Sequence, residues 1–249
     1  MSGKFIRAAL IALAFALPIS AQAQSTDPIA AAIADPLRPD KDRARDELRH
    51  PGEVLAFIGI KAGDTVVDFG PGGGYYTRLL SRIAGADGAV YGYTPDWVAA
   101  KFPEAMEGFN AAFNANDYPN VKHVIGPMAA PKFDKPADVV FMSQIYHDAH
   151  WQKVDVAAMN RAIYEALKPG GLYIVIDHSA PDGTGDTRTE ELHRIDAALV
   201  KSEVLAAGFV LEAESNSLRN PDDPRTENVF GAIRGKTDQF IYKFRKPAP

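Results

Sequence analysis

Thr65-Val66-Val67-Asp68-Phe69-Gly70-Pro71-Gly72-Gly73-Gly74 decides the fold. Thr65-Val66-Val67 is a short apolar run of the kind that builds a buried strand, and Tyr75–Ala84 beyond the glycines reads as a helix. A strand that turns into a helix through glycines brings backbone N–H groups close to a ligand. Asp68, at the strand end, can accept a hydrogen bond from a ligand amine or hydroxyl. The dinucleotide pattern G-x-G-x-x-G requires a glycine where Tyr75 stands, which disfavours NAD and FAD. No Lys-Ser/Thr pair follows the glycines, which excludes a triphosphate P-loop. Four glycines cost backbone entropy that a plain connector has no need to spend.

Outward from this stretch, strands and helices alternate. Strands are expected over Gly88–Tyr93, Val121–Ile125, Ala137–Ser143, Leu172–Asp177, Phe209–Ala213 and Phe240–Phe244. Helices are expected over Trp97–Asn116 with an interruption at Pro103, over Trp151–Leu167, and over Glu190–Ala207. Ala137–Ser143 is a continuous apolar run, as expected of a strand covered on both faces. The alternation predicts an α/β fold with a doubly wound, mostly parallel sheet. The last two strands, with no long apolar helix between them, suit an antiparallel hairpin. Upstream, Asp27-Pro28 starts a short helix to Ala34, Pro39-Asp40 starts a charged helix to Arg49, and Pro51 starts a third over Gly52–Phe57. The basic run Arg43–Arg49 is either a lid over a ligand or a solvated face.

The D-x-G-x-G-x-G spacing of Asp68, Gly70, Gly72 and Gly74 resembles the first motif of the class I S-adenosylmethionine-dependent methyltransferases. Lys168-Pro169-Gly170-Gly171 before the fifth strand is similar to a common landmark of that family. Arg43–Gly74, Tyr146-His147-Asp148 and Leu192–Asp196 look like a group of exported bacterial predicted methyltransferases, a resemblance that covers nearly all of the mature chain. It implies a seven-stranded Rossmann-like sheet with an antiparallel last strand, and S-adenosylmethionine as cofactor. It implies a cofactor turn of Asp68, Gly70, Gly72 and Gly74, with Tyr75 and Thr94 or Asp96 around it. Two positions depart from the family pattern. Thr94 stands where an acid normally meets the ribose, and Gly126-Pro127-Met128 offers no acid for the adenine amine. A lost charged hydrogen bond costs roughly 1.5–3 kcal/mol, which weakens the site without abolishing it.

The N-terminus reads as a secretory signal peptide over residues 1–23, with basic Lys4 and Arg7, an apolar stretch Ala8–Ile19 and the small-x-small site Ala21-Gln22-Ala23. The apolar stretch falls short of the ~20 residues that span a bilayer. The expected organisation is a signal peptide over 1–23, a helical extension over 24–51 and a methyltransferase-like domain over 52–249. The expected location after cleavage is the periplasm or the exterior, with no stable membrane anchor. There is no cysteine, so neither a disulfide nor a lipoprotein anchor. The full chain of 249 residues carries a formal net charge of −5 and no long basic run, which argues against nucleic-acid partners. A small-molecule substrate is expected, and oligomeric state is not readable.

In open α/β sheets ligands lie beyond the carboxyl ends of the strands. Gln144, Tyr146, His147, Asp148 and His150 follow the fourth strand, and Asp177 and His178 follow the fifth. His147 is the candidate base, with Asp148 or His178 orienting it or holding substrate. The competing role for His147 and Asp148 is to cap the next helix. No metal is expected: the His-rich set His147, His150, Asp177, His178 and His193 lacks a compact signature such as H-E-x-x-H. A serine hydrolase is disfavoured because G-x-S-x-G is absent. A non-catalytic small-ligand binder on the same fold is the alternative function, and a metal-dependent enzyme on that fold is the less favoured one.

Overall fold

Among the described residues, four short helices precede the first strand: α1 (Pro28–Ile33), α2 (Asp40–Arg43), α3 (Asp46–Arg49) and α4 (Pro51–Ile58). The computed structural model describes residues 27–248, so the expected signal peptide lies outside the described residues. Asp27 caps α1 by accepting the Ile29 N–H at 2.9 Å, and Pro28 supplies the fixed φ of a first helical position. The single charged helix expected to Arg49 is broken between α2 and α3. The break turns Asp46 toward the buried Arg38, whose guanidinium reaches both carboxylate oxygens at 2.5 and 2.9 Å.

The remaining elements are β1 (Thr65–Phe69), α5 (Tyr75–Ala84), β2 (Ala89–Pro95), α6 (Asp96–Lys101), α7 (Pro103–Ala112), β3 (Val121–Gly126), β4 (Ala137–Ser143), α8 (Tyr146–Trp151), α9 (Val156–Ala166), β5 (Leu167–His178), α10 (Thr189–Leu192), α11 (Ala197–Ala206), β6 (Val210–Ser215) and β7 (Gln239–Arg245). The seven strands form one sheet in the order β3-β2-β1-β4-β5-β7-β6. The first five run parallel, and β7 lies antiparallel between β5 and β6. The expected doubly wound fold with an antiparallel last strand is therefore the observed one.

Alternation along each strand divides the core in two. Val66, Val139, Phe141 and Ile174 pack toward α1, α4 and α5, where they meet Ala32, Leu55 and Leu79. Val67, Val140, Met142 and Val175 pack on the other face with Met159 and Ile163 of α9 and Val200 and Val204 of α11. Burial on both faces explains why β1 and β4 read as continuous apolar runs rather than alternating ones. Among the described residues no helix is long and apolar enough to cross a membrane.

Two expected helices are each split. Trp151 closes α8 instead of opening a helix, and α9 starts afresh where the Asp155 side chain accepts the Ala158 N–H at 2.9 Å. Likewise α10 ends at His193, in the left-handed region at φ 54°, and Asp196 caps α11. Both breaks serve the sheet's carboxyl edge, because they set His147, Asp148 and His193 side by side there.

Candidate active site

Asp68 ends β1 fully buried, and its carboxylate accepts the Thr77 hydroxyl at 2.6 Å. Burial pushes its pKa up to about 7, against the opposing pull of the Thr77 hydrogen bond and the Arg49 charge. Gly70, Gly72 and Gly74 all have positive φ, at 79°, 53° and 81°. They do different work. A Cβ at Gly70 would meet Ile145 at 2.7 Å, and one at Gly74 would run into the Phe113 ring. At Gly72 and Gly73 a Cβ would meet nothing within 4 Å. Gly70 and Gly74 are thus demanded by packing, whereas Gly72 and Gly73 leave open space that a ligand can approach. That space is a cavity of about 220 Å³ bordered by Asp68, Gly70, Gly72, Gly73, Tyr75 and Tyr76; Gly74 is set back at the start of α5.

The basic N-terminal helix reaches this cavity. Arg45 and Arg49 line it, and both guanidinium groups lie over the Tyr75 ring at 5.4 and 4.7 Å. The Tyr75 hydroxyl donates to Asp46 at 2.6 Å, which ties α3 to the glycine turn. Of the two uses expected for the Arg43–Arg49 run, the cover over a cavity is the one that Arg45 and Arg49 adopt.

Gln144 follows β4 with φ 60°, a left-handed conformation that is strained for a residue with a side chain. Its Oε1 accepts from Arg49 at 3.1 Å, and its Nε2 donates to Gln239 at 2.9 Å. Gln144 borders three cavities at once: the one at the glycine turn, a second of about 490 Å³, and a third of about 330 Å³.

The third cavity holds the titratable cluster. Asp177 is fully buried and grips His147 twice, through the backbone N–H at 2.9 Å and through Nδ1 at 2.8 Å. Asp177 therefore caps α8 from the neighbouring strand, the task expected of Asp148. Burial works against a charged imidazole here, but Asp177 and Asp148 outweigh it and raise the His147 pKa. Burial likewise opposes ionisation of Asp177, yet His147 and His178 hold its pKa low. With Nδ1 engaged, Nε2 faces Asp148 at 3.4 Å. Burial pushes the Asp148 carboxyl up to about 6. His178 bonds the Thr237 hydroxyl at 2.7 Å, and burial pulls its pKa down to about 3, so it stays neutral. The walls are aromatic: Trp97 and Trp151 meet edge to face at 6.1 Å, and Phe102, Phe230 and His193 complete the rim.

The structure therefore brings together Asp68, Gly70, Gly72 and Tyr75 at one cavity and His147, Asp148 and His178 at its neighbour. It does not bring Thr94 or Asp96 to either. The buried Thr94 hydroxyl is spent on His123 Nε2 at 2.9 Å, and exposed Asp96 accepts the Trp97 N–H at 2.8 Å. Met128, which follows β3, is packed into the core. Asp177, which sequence reasoning weighs only as a strand-end acid and within the His-rich set, anchors His147; Gln144, placed at the same edge with no specific role, joins the three cavities; Arg234, which sequence reasoning passes over, borders the second cavity. For Asp177 a signal existed, an acid ending an otherwise apolar strand. One atom in each of His147, Asp148 and His193 lies within 4.8 Å of the others, a grouping able to take a metal ion.

A family model described as a methyltransferase domain matches residues 41–213. This chain belongs to the methyltransferase domain family. Family and sheet order together place it in the S-adenosylmethionine-dependent class I methyltransferases, as the glycine turn predicts. Phosphoethanolamine N-methyltransferase 1 of Triticum aestivum is 27% identical over 150 residues, covering 59% of this chain and 28% of that protein. The 2-phytyl-1,4-naphtoquinone methyltransferase of Thermosynechococcus vestitus is 28% identical over 156 residues, covering 60% of this chain and 64% of that protein. The match thus spans under two thirds of either curated relative. A crystal structure of a SAM-dependent methyltransferase from Aquifex aeolicus shares the fold, with a TM-score of 0.60, 20% identity, and 84% of this chain and 98% of that chain covered. The residues of this methyltransferase-domain chain fit the family's cofactor: open space past Gly72 and Gly73, an acceptor carboxyl at Asp68 and a guanidinium at Arg49.

Proposed function

We propose that the chain is an exported methyltransferase acting on a small-molecule acceptor, with the acceptor in the aromatic-walled cavity and His147 as its general base. One observation carries the reading: the Asp177–His147 pair opens into a cavity that shares Gln144 with the glycine turn. Bound S-adenosylmethionine supplies an activated methyl group on a sulfonium. Asp68, Gly70, Gly72 and Arg49 would hold it, and the Tyr75 hydroxyl, donating to Asp46, ties α3 to the glycine turn. Asp177 holds the Nδ1 proton of His147, so Nε2, which faces Asp148 at 3.4 Å, is the atom that would take a proton from an acceptor hydroxyl or amine. Trp97, Trp151 and Phe102 orient the acceptor and keep water from the reacting atoms. The names of the two curated relatives, both small-molecule methyltransferases, support an acceptor of that size. Export rests on the sequence of residues 1–23 alone.

The test is calorimetry of the chain from Gln24 onward with S-adenosylmethionine, beside a methyl-transfer assay on a panel of phenols and amines. Binding is expected in the wild type and in His147→Ala, and is expected to be lost in Gly72→Asp. Turnover should fall roughly 10²–10⁴-fold in His147→Ala. Cofactor binding without turnover in any variant or substrate would favour the ligand-binding alternative, whose structural support is the engaged Thr94.

A further inference from the structure

The largest of the three cavities that meet at Gln144, about 490 Å³, is bordered by Arg45, Arg49 and Arg234 and by no carboxylate. This is unexpected in a chain whose acids outnumber its bases by five. Random placement of charge would put acids in the lining more often than arginines. The three cations are positioned without being neutralised. Arg45 and Arg49 lie against the Tyr75 face and Arg234 lies 5.8 Å over Phe230, contacts that orient a guanidinium; Arg49 donates one N–H to Gln144, and none of the three has a carboxylate at ion-pair distance among the described residues. Burial lowers the Arg45 pKa and the nearby Arg49 lowers it further, so the two like charges repel where they stand. Two like charges held this close cost free energy, partly offset by Asp42, and a bound anion would lower that cost. The remaining polar lining is neutral: Gln144, Gln239 and an uncharged His178.

Position separates this cavity from the cofactor turn. Arg45 and Arg49 border both spaces, whereas Arg234 borders only the larger one. The larger cavity in turn shares Gln144, His178 and Phe230 with the aromatic-walled one. An acceptor with its reacting group at His147 can therefore extend past Phe230 into the arginine-lined space.

We propose that the methyl acceptor carries an anionic group, a carboxylate or a phosphate, that docks between Arg45 and Arg234. This rests on the methyltransferase reading and narrows its substrate class to anionic, ring-bearing small molecules. Arginine suits the task because its planar fork binds such groups with two parallel hydrogen bonds.

The experiment uses a matched pair of probes, 3-(4-hydroxyphenyl)propanoate and 3-(4-hydroxyphenyl)propan-1-ol, which differ only in the charged group. Calorimetry against the wild type, Arg45→Gln and Arg234→Gln, each with and without S-adenosylhomocysteine, reads the preference. The wild type should bind the carboxylate at least about tenfold more tightly than the alcohol. Arg234→Gln should erase that preference while leaving S-adenosylhomocysteine affinity unchanged, and added salt should weaken only the carboxylate. Equal affinity for the two probes, or no binding of either into the millimolar range, overturns the proposal. So does an Arg234→Gln variant that loses S-adenosylhomocysteine, because the cations would then serve the cofactor's own carboxylate. Failure of the wild type to bind S-adenosylhomocysteine at all is a separate outcome: it strikes the methyltransferase reading, while a preference for the carboxylate probe would still establish the anion site.

Discussion

At the scale of single residues, Asp68 has a use that conflicts with its surroundings. Burial raises its pKa to about 7 from an ordinary value near 3.8. Between those values the folded chain keeps a proton that the unfolded chain has released, so this group lowers stability as pH rises through that window. Asp68→Asn should therefore melt higher than the wild type above pH 7, with the gap closing toward pH 4, as thermal denaturation at several pH values would read. A ligand amine prefers the ionised carboxylate, so S-adenosylmethionine affinity should fall by up to about tenfold per pH unit below 7, and this dependence should vanish in Asp68→Asn. His147 behaves oppositely, since its partners raise its pKa and the base form appears only at higher pH. Asp177→Asn should move the rising limb of the rate–pH profile to lower pH and also lower the maximum, because the ring loses its anchor. An unmoved limb would mean that His147 is not the titrating base. Part of this site could be read in the residues themselves: an acid before glycines announces a ligand turn, and a histidine after a strand end announces a base. The Asp177–His147 bond could not be read, because it joins positions 30 residues apart through the register of β4 against β5.

At the scale of elements, the strands were legible and several helix boundaries were not. Strand sequence carries its own signal here, since burial on both faces leaves runs such as Val139–Met142 with no polar residue. The sequence predicts single helices over Trp151–Leu167 and Glu190–Ala207, whereas the structure breaks them at residues 152–155 and 193–196. Capping chemistry, not periodicity, decides these boundaries. Asp196 shows how much one cap does: its carboxylate accepts the Ala198 N–H at 2.9 Å and also the Gly183 and Gly185 N–H groups at 2.7 and 3.3 Å. Asp196→Ala should cost about 2 kcal/mol or more, a cap plus loop donors left without partners, measurable as a lower urea midpoint. Such a loss at Asp196 should also loosen the loop that carries His193. An unchanged midpoint would mean that α11 starts by packing alone.

At the scale of the whole molecule, the sheet determines both where the site lies and when it can exist. Parallel strands β1, β4 and β5 end on one edge, and that edge collects Asp68, Gln144, His147, Asp177 and His178 from segments far apart in sequence. If residues 1–23 act as the signal peptide, mass spectrometry of protein from a periplasmic fraction should find a chain beginning at Gln24. An intact N-terminus would refute the expected cleavage. The placement of β7 bears on the same question in another way. It pairs with β5 on one side and β6 on the other, so β5 has one open edge and β6 has no partner until residues 239–245 arrive. A chain ending at Asp238 should be insoluble, because two hydrogen-bonding edges would stay open. Ribosomal synthesis to that point takes roughly 10–50 s. Throughout that interval the five parallel strands can pair with one another, but the β5 edge stays open and β6 stays outside the sheet. If the chain is exported, this late completion of the β5–β7–β6 side would leave translocation machinery time to engage it before the sheet is whole.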